Sequence, residues 1–406
     1  MKDGSESPPK GPLDGLVVLD LSRILAGPTA TQMLGDLGAT VLKIENPKTG
    51  GDDTRTWGPN FAKGADGENT DLSAYFMSAN RNKKSVAVDI ATPAGQDIIR
   101  QLAARADILI ENFKPGGLKQ YGLDYDALCS TYPGLVYCSI SGFGQTGPNS
   151  HRPGYDLMAQ GFGGIMSLTG EPDGQPLKVG VGIADVMCGM YATIGILAAL
   201  RHRDQTGEGQ HIDVALVDTQ MAWLINEGVN FLTSGDLPER RGNAHPNIVP
   251  YDAFAVSDGH VLIAVGNDAQ FQRFCDFLGQ AELGQNPDYA TNLKRIENRQ
   301  ALTERLSQIL RAYTKSEVLA GLEQRGVPAG PINSVREALT SDQATARQAV
   351  ISVPKTSLRS KAVDLLGNPL KFSQTPVTYR HAPPHFGQDT EPVLTAFGIA
   401  PGDKSG

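Results

Sequence analysis

In the first third of this 406-residue chain, short apolar runs alternate with capped, helix-patterned stretches, and no other feature restricts its fold as much. "GLVVLDLS", "TVLKIE", "SVAVDI", "DILIENF" and "GLVYCSIS" read as strands. Between them, "PTATQMLGDLG" has Pro28 near its start and Gly38 past its end, while "TPAGQDIIRQLAARA" opens on Thr92 as N-cap with Pro93 at the first helical position. Strands separated by helices build a parallel sheet covered on both faces, and ligands collect at the carboxyl ends of such strands. The expected fold is therefore α/β, with a large Rossmann-like domain. A further strand, "HIDVAL", follows the "DQTGEGQ" turn.

Near Tyr251 the texture changes. "YDAFAVSDGHVLIAVG" reads as a hairpin turning at Ser257–Gly259, and helical patterns follow it. The boundaries this suggests are a polar, Pro-rich disordered arm over 1–12, a large α/β domain over 13–223, a smaller α+β domain over 224–327 and a Pro-rich tail over 328–406. A net charge of −8 argues against broad contact with nucleic acid or anionic membrane, while leaving room for a local cationic pocket. The longest apolar run, near Ile194–Leu200, is shorter than a membrane span. Cys129, Cys138, Cys188 and Cys275 are scattered without a CxxC pair, which suits reduced thiols in a cytoplasmic protein.

Several motifs bear on chemistry. "GFGQTG" follows a strand but runs into Pro148 rather than a helix, so it is a poor dinucleotide fingerprint. There is no P-loop, HExxH or GxSxG, and the histidines lack metal-ligand spacing, so no metal is expected. Arg81, Lys83 and Lys84 before one strand, with Lys114 and Lys119 after another, are either solvated loop charges or the side-chain grip on a phosphorylated ligand. Arg55, in "GDDTRTWGP", either forks onto a carboxylate or stacks on Trp57. Asp185 carries the first charge of "GVGIADVMCGMYATIGILAAL", at the mouth of an apolar helix. It is either an N-cap or a nucleophile or acid/base group. Cys188, three residues on, reads as a packed thiol.

"LSRILAGPTATQMLGDLGATVLKIENP", "NRNKKSVAVDI", "ENFKPGGL", "SISGFGQTGP", "PGYDLMAQGFGG" and "ADVMCGMYATIGILAAL", in that order, resemble the class III CoA-transferases, the group of formyl-CoA transferase and the carnitine and bile-acid CoA-transferases. "DDTRTWGPNF", "NRNKKS", "GQTGP" and "IVPYDAF" are most similar to its succinyl-CoA:glutarate branch, which implies a dicarboxylate acceptor. The resemblance implies an interlocked homodimer whose large domain is built from both chain ends, so that the tail returns to it. It makes Asp185 the nucleophile: a carboxylate that attacks a thioester, forms an acyl anhydride, and is then converted to an enzyme–CoA thioester. The acyl-CoA is a substrate, and no tightly bound cofactor is needed. The helix N-terminus is expected to stabilise the Asp185 anion, and Gly182, Ala184 and Gly189 to clear space for the thioester.

The resemblance also places Tyr155 and Asp156 as active-site lining and Ile24, Leu25, Ala26, Lys83, Asn112 and Phe113 at the CoA site. Where the formyl-CoA transferase branch has arginines after the "KIE" and "ENF" stretches, this chain has Asn46 and Gln120, with Lys119 beside the latter. "GNAHPNIVPY" replaces that branch's glycine-rich loop, which makes His245 a substrate-lining candidate. Arg55 is the candidate for the acceptor's far carboxylate. Two alternatives remain: a racemase or isomerase on the same scaffold, disfavoured because Tyr155 stands where that branch carries histidine, and a CoA-binding protein without turnover.

Overall fold

The structure, a computed structural model, describes residues 11–400. The arm expected over 1–12 lies, but for its last two residues, outside them. Six parallel strands form the main sheet: β1 (Val17–Asp20), β2 (Thr40–Glu45), β3 (Lys83–Ala87), β4 (Ile108–Glu111), β5 (Val136–Ser141) and β6 (His211–Ala215). Their spatial order is β3-β2-β1-β4-β5-β6. The chain winds outward from β1 to β3, then returns to the far side of β1, so the topological switch point lies between β1 and β4.

Successive strand residues enter opposite layers, as a sheet covered on both faces requires. Val18, Val41 and Ile110 pack against α1 (Ala26–Asp36) and α4 (Ile183–Thr206). Leu19, Leu42 and Leu109 face α2 (Pro93–Ala103) and the C-terminal helix Thr390–Ala396. Between β5 and α4 lies the short α3 (Asp156–Phe162), and after β6 come α5 (Leu216–Ala222) and α6 (Ile225–Ser234).

Residues 11–165, 178–235 and 343–400 form one compact unit; 166–177 and 236–342 form a second. The second unit thus begins after α6, extends to 342, and recruits a short earlier stretch, differing from the 224–327 reading. Its three-stranded antiparallel sheet contains the hairpin Tyr251–Val256/Gly259–Ala264, over a core including Phe254, Phe271 and Leu306.

The first unit is built from both chain ends, although all six sheet strands lie between 17 and 215. The C-terminal part supplies a hairpin (Val350–Pro354/Ala362–Leu366) and a cover for the sheet edge. On β3, Ser85 N–H donates to Asp389 Oδ2 at 2.9 Å and Ala87 N–H to Thr390 Oγ1 at 2.9 Å. The edge strand's free donors are thereby blocked. Helix α4 is, at 24 residues, long and apolar enough by length and composition to cross a membrane, where the sequence reading found too short a run; half of its most apolar window is buried.

Candidate active site

The loop from β1 into α1 is held from below by buried charge. Asp20 Oδ1 accepts from Ser22 N–H at 2.9 Å, and Asp20 Oδ2 accepts from Thr31 Oγ1 at 2.6 Å. Asn112, just past β4, pins the next residue from both sides: Arg23 N–H donates to Oδ1 at 3.0 Å, and Nδ2 donates to Arg23 O at 2.7 Å. Ile24 N–H reaches both oxygens of Asp52 at 3.3 Å, and Asp52 in turn takes a 2.8 Å bond from buried Lys43. These anchors hold Ile24 at φ 72°, a left-handed backbone that costs a β-branched residue about 1–3 kcal/mol. The loop lies at the switch point between β1 and β4, where an open α/β sheet binds its ligand.

Asp185 enters from the opposite wall. The N-cap of α4 is Gly182, so Asp185 is the third helical residue and not the cap. The capping oxygen comes from elsewhere: Asp156 Oδ1 accepts Ala184 N–H at 2.8 Å. Among the described residues nothing donates a hydrogen bond to the Asp185 carboxylate. Burial, and then the charge of Asp156, push its pKa up to about 7. The expected stabilisation of its anion by the helix is therefore outweighed. Burial and the Asp185 charge also push the Cys188 thiol well up, which suits a packed, unreactive thiol.

A cleft of about 510 Å³ joins the two walls, lined by Ile24, Leu25, Ala26, Asn112, Phe113, Tyr155 and Asp185. Lys114, one of the basic residues read as a possible grip on a phosphorylated ligand, also lines it, with two cations that reading did not include, Arg23 and Arg152. Arg23 follows β1 just as Lys114 follows β4, a position that could have flagged it. A smaller cavity of about 230 Å³ shares Arg23 and Phe113 with the cleft and reaches Asn46, Thr49 and Asp89.

Several expected residues lie outside the cleft lining. Arg55 is 2% exposed, and its guanidinium is fully engaged: Nε and Nη2 donate to Glu45 at 2.8 and 2.7 Å, and Nη1 to Asp71 at 2.9 Å. It lies over the ring of Phe76, 3.8 Å from the centroid, rather than on Trp57. Neither sequence-based role for Arg55 therefore applies. Lys83 begins β3, and its buried ammonium donates to Pro28 O at 3.0 Å and Asn80 Oδ1 at 2.9 Å, beneath Asp20 and away from the cleft lining. Lys119 is exposed beside Gln120, which does line the cleft. His245 belongs to the second unit, its ring against Tyr251 and its Nδ1 accepting Asn247 N–H at 3.1 Å. Asp156 is half-buried and Tyr155 exposed at the cleft mouth. Among the described residues no cluster of three His, Cys, Asp or Glu side chains is placed to hold a metal.

A doubly wound sheet with an unbonded carboxylate at its switch-point cleft defines an enzyme site, and the comparisons place it: the chain belongs to CoA-transferase family III, whose family model matches residues 13–390. It is a CoA-transferase of class III. A succinate–glutarate CoA-transferase from Agrobacterium fabrum is 47% identical over 385 residues, covering 95% of each chain. A succinyl-CoA:glutarate CoA-transferase from Mus musculus is 41% identical, over 94% of this chain and 86% of the mouse protein. The crystal structure of a CaiB/BaiF family protein from Brucella suis matches with a TM-score of 0.85 at 46% identity, over 96% of this chain and all of that one.

Proposed function

We propose that the enzyme transfers CoA from succinyl-CoA to a short dicarboxylate such as glutarate, with Asp185 as covalent nucleophile. The observation that carries this reading is the unbonded Asp185 carboxylate opening into the cleft between Ile24–Ala26 and Tyr155. The named activities of the relatives support the substrate pair. Asp185 attacks the succinyl thioester to give a mixed anhydride and CoA thiolate. The thiolate attacks the Asp185 carbonyl, releasing succinate and leaving an enzyme–CoA thioester. Glutarate attacks that thioester, and the returning thiolate takes the glutaryl group from the second anhydride. One thioester replaces another, so the exchange needs neither nucleotide hydrolysis nor electron transfer, and no tightly bound cofactor is assigned.

CoA lies along the cleft over Ile24–Ala26, Asn112 and Phe113. Arg23 and Lys114 face its phosphates, supplying charge where Asn46 and Gln120 stand, and Lys119 adds charge at the rim. The adenosine end fits the smaller cavity by Asn46 and Asp89. With Arg55 engaged elsewhere, Arg152, a cleft-lining guanidinium, takes the acceptor's far carboxylate. The active form is an interlocked homodimer in the cytoplasm, its two chains meeting over the apolar helical face of the first unit, where Tyr191, Ile194, Trp223 and Ile225 are exposed.

The test combines labelled succinyl-CoA with a panel of carboxylic acids, and mass analysis of the Asp185 peptide after hydroxylamine trapping. The expected result is exchange fastest with five-carbon dicarboxylates, a trapped adduct on Asp185, and loss of exchange in Asp185→Asn confirmed by mass to remain an amide. Undiminished exchange in that variant overturns the mechanism. Deuterium wash-in at the α-carbon without acyl exchange would instead indicate the isomerase alternative.

A further inference from the structure

We propose that Asp156 is the positioning residue of the nucleophile: it fixes the first turn of α4 and keeps a second anion beside Asp185, so that Asp185 gains by shedding its charge into an acyl bond. The inference rests on the reading of Asp185 as nucleophile. Four N–H groups at the start of any helix lack an intrahelical partner, and Asp156 supplies one for the residue immediately before Asp185, at 2.8 Å. Its other oxygen accepts from Gln160 Nε2 at 2.7 Å. Gln160 is fully buried and takes the Val179 N–H on Oε1 at 2.9 Å. These three bonds tie α3 to residues 179 and 184, on either side of the turn that delivers the nucleophile.

The charge arrangement is unusual for a simple cap. Among the described residues, the titratable groups whose charge couples to Asp185 are Asp156 from α3, Tyr75 from the helix Ala74–Ser78, and Cys188 on α4 itself, while the cations Arg23, Lys114 and Arg152 share its cleft without offsetting Asp156. A carboxylate in such a place, part-buried and beside another, is held in a less stable anionic state than it would have in water.

The first covalent step relieves that. A lone pair of Asp185 adds to the thioester carbonyl carbon, the C–S bond breaks, and its electron pair departs on sulfur as CoA thiolate. Asp185 passes from anion to neutral mixed anhydride, and the charge it carried leaves with sulfur. Repulsion from Asp156 is present before this step and absent after it, so it acts on the ground state alone. Asp156 touches no reacting atom; it acts through Asp185.

The experiment measures kcat and kcat/KM for exchange between labelled succinyl-CoA and glutarate from about pH 5 to about pH 9, on full-length wild type, Asp156→Asn and Asp156→Glu. Asparagine keeps an oxygen for Ala184 N–H but removes the charge. Its acid limb is expected to move about one pH unit lower while the plateau rate falls roughly tenfold. Glutamate restores the charge on a longer arm, so the limb returns to the wild-type position and kcat alone falls several-fold. A folded asparagine variant whose limb stays put overturns the proposal. Should that variant not fold, the glutamate variant decides: a limb displaced downward, or an unchanged kcat, overturns it. Hydroxylamine trapping of the wild type keeps the two readings apart. No adduct at Asp185 removes the nucleophile, whereas an adduct with an unmoved limb removes only the role of Asp156.

Discussion

Removing a guanidinium that two carboxylates share leaves at least one of them buried and unpaired. Arg55→Met would strand Glu45, whose side chain is 1% exposed, and such a loss costs on the order of 3–5 kcal/mol. The expected outcome is a large fall in the denaturation midpoint, with the KM for dicarboxylates unchanged in whatever folded enzyme survives. A selective rise in that KM at unchanged stability would return Arg55 to the substrate. Asp185 makes the opposite prediction. Its folded pKa, about 7, lies above the ordinary value of 3.8, so the folded chain holds a proton that the unfolded chain has lost across that window. Its favourable contribution is complete at acid pH and disappears as pH rises through about 7. Asp185→Asn should therefore melt above wild type, by a margin that grows from pH 4 to pH 7 and then levels, measured by thermal melts across that range. An equal margin at all pH values would contradict it. The contrast explains what sequence could deliver at this scale. A lone acid in an apolar helix is visible in a string of letters; that Arg55 meets Glu45, Asp71 and Pro384 is not, because those partners come from distant points of the chain. Lys83 was misplaced for a local reason. The strand starts at Lys83 rather than after Lys84, and period-two alternation then turns Lys83 inward beneath Asp20.

Among the elements, the crossing of α1 and α4 decides where the two walls of the cleft stand. A Cβ on Gly189 would lie 2.6 Å from Ala26 O and 3.0 Å from Thr29 Cβ, so the backbones touch there. At Gly182 it would meet Leu25 Cδ2 at 3.0 Å. The small residues of the helix thus serve close packing onto the β1–α1 loop, rather than clearance for a thioester as their pattern suggested. Gly189→Ala forces the helices apart, which costs about 1–3 kcal/mol and shifts Ile24–Ala26 relative to Asp185. The prediction is a lower melting temperature together with a raised KM for acyl-CoA; a normal KM in a destabilised variant would mean that the crossing holds the fold but not the cleft. Strand and helix alternation was legible at this level, down to Thr92 accepting Gly95 N–H at 3.1 Å. The cover that Asp389 and Thr390 provide for β3 was not, because edge pairing joins residues some three hundred positions apart, and no local signal marks it.

At the scale of the molecule, the apolar residues left outside the first unit are too many and too well aligned for a surface facing water. On α4, Tyr191 and Ile194 are 40% and 61% exposed; on α6, Ile225, Val229 and Leu232 reach 68%, 59% and 80%, and all follow helical spacing. Exposed apolar stripes on helices mark interfaces or membrane contacts when they gather into a patch. A second copy of the chain is the occupant proposed above, and it predicts a particle of twice 43.2 kDa by light scattering, with Ile194→Glu lowering both that mass and the exchange rate. In a chain whose α4 face met only water, the same substitution would change stability by no more than about 0.5 kcal/mol. Binding to lipid vesicles by a particle of single-chain mass would point to a membrane instead. The interlocked form proposed above would add a kinetic consequence that simple docking lacks. Two docked copies separate at a rate set by their interface, but two threaded rings separate only when one chain unfolds. Differently tagged preparations mixed at micromolar concentration should therefore yield no mixed dimers over hours in native buffer, and should yield them in statistical proportion after joint denaturation and refolding. Mixed dimers forming freely under native conditions would leave the dimer intact and remove the threading.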